Sequence, residues 1–186
     1  MNTIKILRTL INILYYTLLI TLGIGMIILF CIIFFPEIVP LPMRGFLMLL
    51  NQPFGWKIYL VPISQILNFL LLIIAIFLLR KGTASFINSD FYNDQVISNF
   101  KKAGNIFVFI GLSTICINLF TVMYMQNLSY NMMQVKTHFL ISTLNILTTA
   151  IDLESILAII AGLFFLLFSN IFENSKSLKQ ENDLTI

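Results

Sequence analysis

The side chains in this chain that could do chemistry are few and mostly uncharged. Gln65 and Asn68 stand one helical turn apart, and Gly111, Thr114, Asn118 and Thr121 recur at helical spacing further on. Amides and hydroxyls in an apolar setting either tie helix to helix, at about 0.6–2 kcal/mol per contact, or line a small polar pocket. Gln65, Asn68, Asn118 and Thr121 are therefore the candidate ligand pocket. His138 is the single histidine, and Glu37, Asp152 and Glu154 are the acids that could join it. Asp152 and Glu154 are two apart and face differently on a helix, and the other separations match no helical ligand spacing, so no metal site is expected. A membrane enzyme built on His138, Asp152 and Glu154 is the one catalytic alternative these residues leave. Cys31 and Cys116 form no CxxC pair, which argues against dithiol exchange and reads as two small hydrophobes. There is no Gly-rich phosphate loop, HExxH or nucleophile elbow. The chain is read as non-enzymatic, with no catalytic residue and no cofactor.

The elements that hold these residues follow from composition. Of the 186 residues, 59% are hydrophobic and 10% charged, with a mean hydropathy of +0.95; soluble domains run at about 45–50% apolar and about 25% charged. Eleven basic and eight acidic residues cannot cover a soluble body of this size. A soluble globular enzyme, a disordered tail and a nucleic-acid-binding domain are excluded, and the basic residues occur in pairs rather than as a patch for direct nucleic-acid contact. The expected fold class is an all-α membrane protein with four transmembrane helices in one integral membrane domain over 1–186. The spans fall at about 10–35, 58–79, 105–126 and 155–172, against a requirement of about 20 residues for a 30 Å hydrocarbon core. Continuous apolar runs, rather than period-two alternation, specify helices and not barrel strands. Lys5 and Arg8 precede an apolar run that is too long for a cleaved signal core and lacks an A-x-A site, so the first span stays in the bilayer.

Placement of Lys and Arg sets the orientation. Lys5 and Arg8, then Arg80, Lys81, Lys101 and Lys102 in a loop over 80–102, then Lys176 and Lys179 in a tail over 173–186, all fall on one side. Arg44, Lys57 and Lys136 fall on the other. The positive-inside rule makes both termini cytoplasmic. It also puts Gln65, Asn68 and Asn118 in the outer half of the bilayer, at depths where they can meet. No charged residue lies in the body of any span, which argues against ion-coupled transport. The outer connections are 36–57 and 127–154. The first contains Pro36, Pro40, Pro42 and Pro53 among Phe46, Leu47, Leu49, Leu50, Phe54 and Trp56, and is expected to lie on the interface. In the second, Leu140, Leu144, Leu147 and Ile151 recur at helical spacing, an interfacial or re-entrant helix. Asp152 is the expected cap of the fourth span, with Glu154 in its first turn. Ala158-x-x-x-Gly162 on that span permits close helix approach, within the chain or in a homo-oligomer.

Two polar pieces stand out on the cytoplasmic side. Asp90 is the expected cap of a short helix on which Val96, Ile97 and Phe100 share a face, with Asn93, Gln95, Asn99 and Lys101 largely elsewhere. This is either a linker held at the lipid surface by its basic residues or a docking face for a cytoplasmic partner. The chain ends Leu178-Lys179-Gln180-Glu181-Asn182-Asp183-Leu184-Thr185-Ile186. That ending resembles the terminal signature, roughly L-x-E-E-N-D-L-T-I/V, of a bacterial four-span membrane family, domain of unknown function 2975. The stretch Phe91-Tyr92-Asn93-Asp94-Gln95-Val96-Ile97 through Lys101-Lys102-Ala103-Gly104 also resembles that family's lead-in to its third helix. Gln180 stands where the family has its first acid, and the Pro-bearing outer connection departs from the family pattern. The resemblance implies a bacterial cytoplasmic (inner) membrane location and a small cytoplasmic helix-turn-helix regulator as partner. On this reading Phe91, Asn93, Val96, Phe100, Glu181, Asn182, Asp183, Leu184 and Thr185 are the candidate partner-binding residues. The alternative is binding, sensing, immunity or export of a lipid or lipophilic small molecule through the outward-opening polar pocket.

Overall fold

The computed structural model describes residues 2–35, 60–85, 93–133 and 148–184. They form four helices: α1 (Asn2–Phe34), α2 (Leu60–Ser85), α3 (Asp94–Met133) and α4 (Leu153–Leu184). Each is long and apolar enough to cross a membrane. Leu, Ile and Phe project from them in all directions, and large side chains such as Ile20, Ile27, Ile63, Phe109, Leu163 and Phe164 stay exposed along the spans. A helix that is apolar all round suits lipid rather than water. Residues 36–59 and 134–147, which carry the expected interfacial segments and His138, lie outside the described residues. Within the second connection, residues 148–150 are helical.

The helices are longer than the apolar runs predict. Residues 80–85 complete α2, and 94–102 are the first turns of α3, so much of the expected 80–102 loop is helix. Asp90 lies outside the described residues, and α3 is capped by Asn93. Its Oδ1 accepts from the Gln95 N–H at 3.0 Å, and its carbonyl accepts from the N–H groups of Val96 and Ile97. These bonds satisfy donors a helix start leaves open. From there α3 runs 40 residues without a break, about 60 Å at 1.5 Å per residue. It contains no proline, and its glycines are absorbed by packing.

Those two glycines, with Gly162 on α4, decide how the bundle closes. A Cβ on Gly104 would stand 2.8 Å from the Gly162 carbonyl oxygen, and one on Gly162 would stand 2.7 Å from that of Gly104. A Cβ on Gly111 would meet the Ser155 carbonyl at 2.7 Å. So α3 and α4 touch backbone to backbone and run antiparallel, 104 level with 162 and 111 level with 155. The small face at Gly162 is therefore used inside the chain. Ser169, buried on α4, closes the other end by donating to the Ile97 carbonyl at 3.0 Å.

At the end near residues 80 and 100 the core comprises Ile76, Leu79, Val96, Phe100 and Ala103. Phe100 packs on Phe165 and Phe172, with ring centroids 6.0 and 5.9 Å apart. Gly82 on α2 leaves room for that ring, since a Cβ there would lie 2.9 Å from it. Arg80 joins α1 to α2 by donating to the Tyr16 hydroxyl at 3.1 Å, with its guanidinium 5.1 Å from the ring centres of Tyr15 and Tyr16. Beyond this contact α1 is largely exposed.

Candidate functional site: a polar cavity between α2, α3 and α4

At the opposite end of the bundle, α2 over residues 65–72, the middle of α3 over 110–118 and the start of α4 line a half-open cavity of about 350 Å³. Its polar wall is built from Gln65 and Asn68 on α2, Thr114 and Asn118 on α3, and Asp152 and Glu154 at the start of α4. Phe69, Leu72, Ile110 and Ile117 make the apolar wall. Three of the four residues expected to form a pocket are brought together. Thr121 is not among them: its hydroxyl turns back on its own helix and donates to the Ile117 carbonyl at 2.7 Å.

The polar groups are held in a chain of hydrogen bonds. The Asn68 side-chain N–H donates to Thr114 Oγ1 at 3.3 Å, and its Oδ1 accepts from the Ser113 hydroxyl at 2.8 Å. Thr114 in turn donates to the Ile110 carbonyl. Asn118 Nδ2 donates to Asp152 Oδ2 at 3.2 Å and to the Ala150 carbonyl at 3.5 Å. Both partners can only accept, which fixes the amide orientation and leaves Asn118 Oδ1 as an acceptor. Asp152 Oδ1 accepts from the Ser155 N–H at 2.9 Å and caps α4 as expected. Ser155 is the main cause that holds the Asp152 carboxyl below its ordinary value, through its side chain and then its N–H. Desolvation opposes this, and Asn118 adds to it. The Ser155 hydroxyl itself donates to the Asp152 carbonyl, so the N–H is the directed donor to the carboxylate.

Ser113, Asp152 and Glu154 were not part of the expected pocket. The signal for the acids was present, because antiparallel neighbours bring the start of the fourth span level with Asn118. Ser113 carries no such signal, sitting beside the polar stripe rather than on it. A smaller, more apolar cavity of about 250 Å³ lies beyond Ile117, lined by Leu60, Val61, Ser64, Cys116, Ile117 and Phe120.

The expected partner-binding residues are dispersed. Val96 and Phe100 are 0% and 6% exposed. They are core, because the face they share is the one α3 turns toward α2 and α4, so neither offers a docking surface. Asn93 is the cap of α3. Glu181 and Asn182 are exposed on the last turns of α4; Asp183 and Leu184 complete that helix, their side chains lying outside the described residues, as do Phe91 and Thr185. Among the described residues no three His, Cys, Asp or Glu side chains come together.

Four membrane-length helices define a multi-pass membrane protein. The chain matches no protein family model, no curated protein and no solved structure.

Proposed function

We propose that the protein lies in a bacterial cytoplasmic membrane with both termini inside and binds a lipid or lipophilic small molecule in the cavity between α2, α3 and α4. It serves sensing, immunity or export rather than catalysis. The observation that carries this reading is the cavity itself, with amides and carboxylates on one wall and aromatic and aliphatic side chains on the other. Ligand sites combine an apolar lining with a few placed polar groups. Support for the orientation comes from charge: Arg8, Arg80, Lys81, Lys101, Lys102 and Lys176 gather at the end away from the cavity, which favours an outward-facing cavity. A photoactivatable alkyl diazirine tests the reading in membranes containing the full chain. Saturable adducts on residues 65–72 and 110–118 are expected; labelling of those segments that rises linearly with probe, as on any lipid-facing helix, would refute it.

A second reading rests on the end of α4. The helix continues past its apolar stretch to Leu184, and the Lys176 ammonium reaches the Asp94 carboxylate at 2.5 Å, joining that extension to the start of α3. The resemblance to domain of unknown function 2975 rests largely on this segment, and it supports a docking element for a cytoplasmic helix-turn-helix regulator. Pull-down with the full chain and with a chain ending at Leu178 tests it. Loss of a regulator from the shorter chain is expected, and equal recovery would refute it.

A further inference from the structure

We infer that the cavity selects a protonated alkylamine: a primary or secondary ammonium held at Asp152 and Glu154, with an apolar chain along Phe69, Leu72, Ile110 and Ile117. This rests on the ligand-binding reading above and adds the chemistry of the ligand.

The argument is an inventory of hydrogen-bonding capacity. The protein has already spent most of the donors that face the cavity, the Gln65 amide excepted. Thr114 gives its hydroxyl proton to Ile110, and Asn68 gives an N–H to Thr114. Asn118 gives its N–H groups to Asp152 and Ala150. What remains around the space is the Gln65 amide and a larger set of acceptors: Asn118 Oδ1, the free lone pairs of Asp152 Oδ2, and the Glu154 carboxylate. Carboxylates accept only, so a ligand must bring the protons. The charge points the same way. Asp152 and Glu154 are the only charged side chains at this end of the bundle among the described residues, while every described Lys and Arg sits at the other end or beyond it. The N–H groups at the start of α4 offset part of one negative charge, through the Ser155 bond, and the Glu154 carboxylate has no ion-pair partner among the described residues. An alcohol or an anion with the same alkyl chain would leave that carboxylate unmatched; an ammonium forms charge-assisted bonds that are roughly twice as strong as neutral ones.

The cation could arrive as the head of an aminophospholipid or as a free lipophilic amine. The experiment uses the full chain in phosphatidylcholine nanodiscs, whose headgroup has no N–H. Radiolabelled dodecylamine and dodecanol are measured, each corrected for empty discs. The expected result is amine binding at least about 10-fold tighter than alcohol, equivalent to about 1.4 kcal/mol. The double variant Asp152→Asn, Glu154→Gln should bring the two within about 3-fold, since Asn still caps α4 and the bulk is unchanged. Adding phosphatidylethanolamine to the discs weakens the amine if the natural source is the lipid, and leaves it unchanged if the source is a free amine. Ile117→Trp and, separately, Ile110→Phe fill the cavity and should abolish both ligands. Equal binding of amine and alcohol, both lost on filling, would overturn the ammonium preference while leaving the cavity a binding site. Binding that neither filled variant alters would overturn both.

Discussion

Asn118 on α3 donates its side-chain N–H to the Asp152 carboxylate that caps α4, at 3.2 Å. The bond links the helix that carries the polar stripe to the only described acids at that end of the bundle. It also aims the remaining Asn118 oxygen as an acceptor.

Replacing the cap separates its two roles. Asp152→Ala removes the acceptor for the Ser155 N–H and the partner of Asn118, and should cost about 0.5–2 kcal/mol of helix stability. Asp152→Asn keeps the acceptor for the Ser155 N–H but sets an amide nitrogen against Asn118 Nδ2, so it should melt between Asp152→Ala and wild type. Thermal unfolding in detergent, followed by circular dichroism, reads the difference.

Acid should act on the same group in one direction. The Asp152 pKa is lowered in the fold, so its contribution to stability is fully present above the ordinary carboxylate value of about 3.9. It is lost as pH falls through the lower folded value. Melting temperatures of wild type and Asp152→Asn should run parallel from pH 5 to 8. The wild-type advantage should shrink only below about pH 4, the ordinary Asp range.

Glycine substitutions should divide by position. Gly162→Ala drives a methyl to within 2.7 Å of the Gly104 carbonyl, and relieving that overlap should cost about 1–3 kcal/mol by overpacking. Gly25→Ala meets nothing within 4 Å and should leave stability unchanged. Unfolding of the two variants side by side checks the backbone contact between α3 and α4.

Arg80→Lys should behave almost like Arg80→Ala in fixing α1. A lysine keeps the charge but not the planar guanidinium that lies against Tyr15 and Tyr16, a contact worth about 0.5–1 kcal/mol at an exposed site. Hydrogen–deuterium exchange of α1 in detergent would report its loosening from α2 as faster exchange in both.

Four spans are legible in this sequence because long apolar runs admit no other membrane structure. The meeting of Gln65, Asn68 and Asn118 is legible from depth alone. Helix ends were harder. Apolarity marks where lipid stops, while the helix continues wherever hydrogen bonds and packing carry it, which is why Val96 and Phe100 belong to the core of α3 rather than to a surface loop. The pairing of Gly104 and Gly111 with α4 was also hidden, because a glycine in a span reads alike whether it faces lipid, a second copy or a neighbouring helix. Thr121 misled for a related reason: at helical spacing with Asn118, it satisfies itself on the Ile117 carbonyl.

The most direct test of the cavity as a ligand site is native mass spectrometry of the full chain released gently from its own membrane, beside Asn118→Trp and Ile117→Trp. The account predicts a discrete added mass on the wild type, in a stoichiometry of about one ligand per chain for a single small-molecule site, that both folded variants lack. A wild-type spectrum of bare protein, or the same adduct on variants whose cavity is filled, would contradict it.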